Sequence, residues 1–353
     1  MSNSDTDMVV RRYVVCLLDV LGQKCRLCDW ATLPEGPEDA SRFEQAVRDS
    51  AIAVREFRDL FTIYFDQFRE RTSEKALDSL PEAQKQRHRR FKGCSVAVER
   101  FSDTFLFYSP LPNTHGDDSP DALHAILYAC CNALLTSLAV DVPLRGAITI
   151  GTGTVLPDGG FYGPALAEVH HLESKLAGHP RVLVSTAVRD FLQEGHTYST
   201  DPDMARLMAR LAADSRQFLW QDIDGLWTVD FLGKAHRELV RDISKAGVLI
   251  RRAYTFARSS AAEFRQRGDA KLAVRYYLLQ QYIESRLGIW GVLPSPTATA
   301  LPATGSYPPR LLRLCSGSPR RSRPRAGLSA PARSWPPGRR RRRRLGRWRR
   351  RRR

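Results

Sequence analysis

No run of about 18 apolar residues occurs in the chain, so no membrane-spanning helix is expected. No secretory leader is recognisable either. "MSNSDTDMVVRRYVVCLLDVLG" is acidic before its apolar run, and Asp19 interrupts that run. A cytoplasmic protein is the expectation. No second CxxC accompanies Cys25-x-x-Cys28, and a zinc site needs four ligands, so this pair reads as ordinary thiols. The seven cysteines are odd in number and lack an export signal, which points to reduced thiols.

Acidic residues and lysine are missing altogether from Pro319–Arg353, which holds seventeen arginines. Taking those from the 55 Lys and Arg leaves 38, against 38 Asp and Glu, so the net charge of +17 belongs to this segment alone. A pI near 10 would ordinarily point to nucleic acid, but here the body of the protein is neutral. The tail cannot bury a core and is expected to be disordered. It is either a nucleic-acid-binding arm or a chance extension of the reading frame. In both cases it binds polyanions weakly and with steep salt dependence.

What is present is a body of ordinary apolar content, 42%. "YVVCLLDV" (13–20) is a continuous β-branched and apolar run, the mark of a buried strand. Residues 38–73 repeat apolar positions at three- and four-residue steps and predict a helix. "AVERFSDTFLFYSPL" (97–111) reads as a strand with Asp103 at its middle. Further helices are expected over 121–140 and 164–178, and strands over 144–156 and 180–185. A short helix should follow at 186, then a hairpin over 218–232 turning at Asp224-Gly225. Helices over 234–288 and a Pro/Ser/Thr linker at 293–309 complete the reading. This alternation makes an α/β or α+β sandwich with a C-terminal helical extension. The expected divisions are 1–235, 236–290 and 291–353.

Asp19 and Asp103 carry the chemistry. A carboxylate in so apolar a setting is costly unless paired. Two of them, if their strands are neighbours, need a cation between them. Divalent metals with oxygen ligands meet that need, and the Val20-Leu21-Gly22 turn offers backbone groups to a metal or a phosphate. Each acid taken alone reads more simply as a strand-end residue facing solvent or capping a helix.

The series "LLDVLGQ", "RFSDTFLF", "LRGAITIGTG", "GFYGPALAEVHHLE" and "PRVLVS" resembles the catalytic domain of class III nucleotide cyclases, over about residues 10–235. Within that class the wording is most similar to the bacterial pyrimidine cyclases of antiphage defence. The resemblance implies a ferredoxin-like fold and conversion of UTP or CTP to the 3′,5′-cyclic monophosphate and pyrophosphate. It implies two Mn²⁺ or Mg²⁺ ions held by Asp19, Asp103 and the Val20 carbonyl. Val20, Leu21, Gly22 and Gln23 would lie along the triphosphate, and Arg145 would contact phosphate. Adenylate cyclases carry a lysine where Glu99 stands here, so ATP is disfavoured; Arg100 or a neighbouring aromatic would read the base.

Two positions depart from the purine enzymes. Ala167 and His171 replace an Asn and an Arg that orient the ribose and stabilise the transition state, with Glu168, His170 or His171 as substitutes. Two histidines on an ordinary surface helix are the plainer reading. A homodimer with two equivalent sites is implied, since the family builds its site between two such domains. The alternatives are a degenerate module that senses nucleotides without turnover, a purine cyclase, or a nucleic-acid protein acting through its tail.

Overall fold

Val14, Val15, Cys16, Leu17 and Leu18 leave no polar alternation, and β1 (Arg11–Val20), which contains them, is covered on both faces. The computed structural model describes residues 8–22, 32–78, 81–82, 95–111, 118–157, 159–193 and 196–293. Gln23, Cys25, Cys28 and the Arg-rich tail lie outside these. By contacts the chain divides into Met1–Cys315 and Ser316–Arg353.

After β1 comes the long helix α1 (Pro37–Asp78), then strands β2 (Ala97–Phe101) and β3 (Thr104–Pro110). Helix α2 (Asp121–Leu138) leads into β4 (Leu144–Val155) and the short β5 (Phe161–Tyr162). Helix α3 (Pro164–His171) continues into one π-helical turn, Leu172–Leu176. Then follow β6 (Val182–Val184), α4 (Thr186–Phe191), α5 (Pro202–Arg216), β7 (Leu219–Gln221) and β8 (Trp227–Val229). Helices α6 (Lys234–Leu239), α7 (Ile243–Gln266) and α8 (Ala270–Trp290) close the series.

The strands form one sheet in the order β2-β3-β1-β4-β6-β8-β7, with β5 paired to β4. Only β4–β6 is parallel, so the architecture is α+β. In the first half, β3 lies between β1 and β2, and β1 lies between β3 and β4. Two strand–helix–strand units therefore interleave.

The sheet has two unequal faces. One carries Val14, Cys16, Leu18, Phe105, Phe107 and Ile148 into the main core. There Phe61 of α1 stacks on Phe107 with ring centroids 3.8 Å apart. Helix α2 is apolar nearly all round because α1, α5 and α7 enclose it. By length and composition α2 alone among the described helices is apolar enough to cross a membrane, and 89% of that stretch is buried in the protein. Helices α7 and α8 reach the same core through Ala253, Ala257, Ile283 and Trp290, which makes residues 234–290 a packing layer on it. The opposite face buries Tyr13, Val15, Leu17, Leu106 and Tyr108 against Phe161, Ala165 and Val169 of the segment around α3.

Two expectations are corrected. Residues 97–111 are a hairpin and not one strand, and Asp103 sits in its two-residue turn. Ser102 takes a φ of 60°, as the first residue of such primed turns must, and the turn leaves Asp103 half-buried. The turn thereby avoids the desolvation cost of a mid-strand carboxylate. The second concerns 196–217, where no element is expected and the structure forms α5, with Met204, Met208 and Ala212 at four-residue steps on its buried side.

At Gly146, β4 packs tightly against β1. A Cβ there would lie 2.4 Å from the Leu17 carbonyl oxygen and 2.5 Å from Leu18 Cδ2. Since a backbone atom cannot yield as a side chain would, Gly146→Ala is expected to cost about 1–3 kcal/mol, read as a lower midpoint in chemical denaturation.

Candidate active site

Register places the site. Asp19 is the last polar residue of β1, paired with Thr104 on β3 and with Arg145 on β4. Directly opposed residues in antiparallel pairs share a face. The three side chains therefore line up on the face carrying α3, beyond the apolar row of Leu17, Leu106 and Ala147. Thr104 Oγ1 donates to Asp19 Oδ1 at 2.8 Å, and Arg145 Nη2 donates to Asp19 Oδ2 at 3.2 Å. The Val20 N–H donates to the Asp103 carbonyl at 3.3 Å, which ties the hairpin turn to the end of β1.

A fourth member comes from the π-helical turn. The Ala177 N–H donates to the Leu172 carbonyl at 2.9 Å, a five-residue step that widens the helix. Glu173, in that turn, is buried at 4% exposure. Its Oε1 lies 2.6 Å from Arg145 Nε. This contact is an ion pair and not an aligned hydrogen bond. One guanidinium thus serves two acids, and Asp103 adds a third negative charge close enough to act on Asp19. Three carboxyl groups thus share the neighbourhood of one guanidinium.

Its electrostatics follow. Burial pushes the Asp19 carboxyl above its ordinary range, opposed by the Thr104 bond and the Arg145 charge, while Asp103 pushes it further up. Burial raises Glu173 likewise; Arg145 opposes the rise, Asp19 adds to it, and nearby His170 opposes it. Positive charge is in short supply here.

The structure brings Asp19, Asp103 and Arg145 together and adds Glu173, which the sequence marks only as the end of its "LE" pair. Leu21 donates its N–H to the Pro143 carbonyl at 2.8 Å, and Gly22 turns the chain with a φ of 87°. Gln23 falls outside the described residues. Arg100 is not brought to the site: it pairs with Phe105, which faces the main core, so its side chain leaves the sheet on the other face from Asp19. Glu99 does share the Asp19 face, but its Oε1 accepts the Phe161 N–H at 2.8 Å. Ala167, Glu168, His170 and His171 are all exposed on α3.

Among the described residues, no group of three or more His, Cys, Asp and Glu is placed to hold a metal by itself. Magnesium-type sites commonly use one or two carboxylates and complete their shell with substrate phosphate and water. Two carboxylates with all-oxygen donors and a deficit of positive charge fit such an ion. No protein-family model, curated protein or solved structure matches the chain.

Proposed function

We propose that this chain is a class III-type nucleotide cyclase that converts a pyrimidine nucleoside triphosphate, UTP or CTP, to its 3′,5′-cyclic monophosphate and pyrophosphate. The observation that carries the reading is the row Thr104–Asp19–Arg145 across three neighbouring strands, with Asp103 in the adjoining tight turn. The strand order β2-β3-β1-β4 supports it, because interleaved βαβ units in that order make the ferredoxin-like core of that class.

Asp19 and Asp103 would hold Mn²⁺ or Mg²⁺ with the Val20 carbonyl. When bound, the ions supply Lewis-acid activation of the ribose 3′-hydroxyl and charge neutralisation of the triphosphate. Thr104 fixes the Asp19 carboxylate through its hydroxyl, so Asp19 presents a set orientation. The Leu21–Gly22 turn lies next in the chain, where the triphosphate would run. Arg145 already neutralises two acids, which makes it a counter-ion first and a phosphate contact only once displaced. A pyrimidine base follows from the sequence resemblance and from Glu99 standing where adenylate cyclases carry lysine. The exposed α3 face, with His170 and His171, is where a second copy would complete the site in a cytoplasmic homodimer.

A second reading has an observation in its favour. Arg145 bonded to Asp19 fills the place of a cation, as in a nucleotide-sensing module without turnover.

The test is incubation of the purified chain with each of the four NTPs and Mn²⁺, with products identified by mass spectrometry. A cyclic pyrimidine monophosphate is expected. A purine product would sink the base assignment and keep the enzyme. Absence of any product, with nucleotide still bound, would establish the sensor.

A further inference from the structure

The guanidinium of Arg145 is shared by two acids, and the sharing is asymmetric. Arg145 Nε is 2.6 Å from Glu173, while Nη2 is 3.2 Å from Asp19. Glu173 is the buried partner, its side chain 5% exposed against 19% for Asp19 and 21% for Arg145. A buried carboxylate without its cation is strongly disfavoured, so Glu173 is the partner Arg145 cannot abandon. Asp19 has an alternative, since Thr104 holds its other oxygen. The π-helical turn is the device that brings residue 173 onto Arg145; such turns recur at functional sites.

We propose that Glu173 is a positioning residue that anchors Arg145 as a movable counter-ion, which covers Asp19 when no divalent cation is present and withdraws onto Glu173 when one arrives. This rests on the metal-site reading given above. A divalent ion on Asp19 and a guanidinium on the same carboxylate repel each other. Arg145 must then give up Asp19, and Glu173 supplies the place it retains. Without Glu173, the arginine has Asp19 as its one acid and competes with the metal for it. Glu173 would therefore set metal affinity without touching the metal.

The experiment is calorimetric titration of Mn²⁺ into the full chain without nucleotide, for the wild type and for Glu173→Gln, Arg145→Gln and the double variant. Glu173→Gln is expected to weaken Mn²⁺ binding by about 10-fold or more, the scale of supporting residues around metal ligands. Arg145→Gln is expected to tighten it. With Arg145 already replaced, adding Glu173→Gln should change affinity by less than about twofold, since the residue it acts through is gone. Equal weakening in both backgrounds would overturn the proposal, making Glu173 a plain negative charge or a ligand. Should Arg145→Gln fail to fold, Glu173→Asp decides the matter. It keeps the charge but withdraws it by one methylene, and is expected to weaken binding as Gln does. Wild-type affinity in Glu173→Asp would overturn the positioning role. A wild-type chain that binds no Mn²⁺, either alone or with a nucleoside triphosphate present, would instead overturn the metal-site reading itself.

Discussion

On the cyclase reading proposed above, Asp19→Ala is expected to abolish cyclic nucleotide formation, with a loss of at least about 10²–10³-fold, the cost of removing one preorganised group that stabilises developing charge. Asp103→Ala should do the same. The two acids differ in what else they hold. Asp19 accepts from Thr104 and Arg145, so its removal leaves Arg145 with Glu173 alone. The Asp103 side chain stands in a turn, and the backbone carbonyl that receives the Val20 N–H survives its replacement. Asp103→Ala should therefore keep wild-type thermal stability while losing activity, which separates chemistry from folding. Product formation by mass spectrometry and melting by circular dichroism check both. Retained activity in Asp103→Ala would end the two-carboxylate mechanism.

The second large effect is on stability. Arg181 is 5% exposed and joins the segment after the π turn to the β7–β8 hairpin. Its guanidinium reaches Asp222 at 2.6 Å, Asp224 at 2.5 Å and the Leu176 carbonyl at 3.1 Å. His179 Nε2 lies 3.4 Å from the same Asp222. Arg181→Ala leaves these acids without that cation, and breaking a buried pair in this way costs about 3–5 kcal/mol. For a chain of this size that is a fall in melting temperature of roughly 4–8 °C.

The pH dependence has a definite sign. Burial raises the Asp222 carboxyl, but bonds from His179, the Ile223 N–H and Arg181 outweigh it and bring it down to about 2. A depressed carboxylate stabilises the fold above its unfolded value of about 4, and that contribution disappears as pH falls through about 2. Wild-type melting temperature should therefore drop between pH 4 and pH 2, and Arg181→Ala should flatten this drop. A variant as stable as wild type at pH 7 would refute the cross-link.

Patterns local to the chain were legible in the sequence. The unbroken apolar run of β1 announces a strand covered on both faces. The three-residue step from Phe57 to Leu60 announces the buried side of α1. Asp19 and Asp103 stood out because a carboxylate among such residues demands a reason. Helix α5 is harder to see although its spacing is regular, because its buried apolar side is only Met204, Met208 and Ala212 among charges.

Pairing lay beyond reach. That Asp19 faces both Thr104 and Arg145 depends on the register of three strands far apart in sequence. Alternation then sent Arg100 to the other face, since a one-residue step along a strand reverses the side chain's direction. Glu173 reached the site through one widened helical turn, which no residue pattern announces. The sequence by itself determined which residues are apolar enough to be buried and which acids are anomalous among them. Only the tertiary structure decided which charges meet, because a charge's partner is set by distance in space, and strand register, not chain order, fixes that distance.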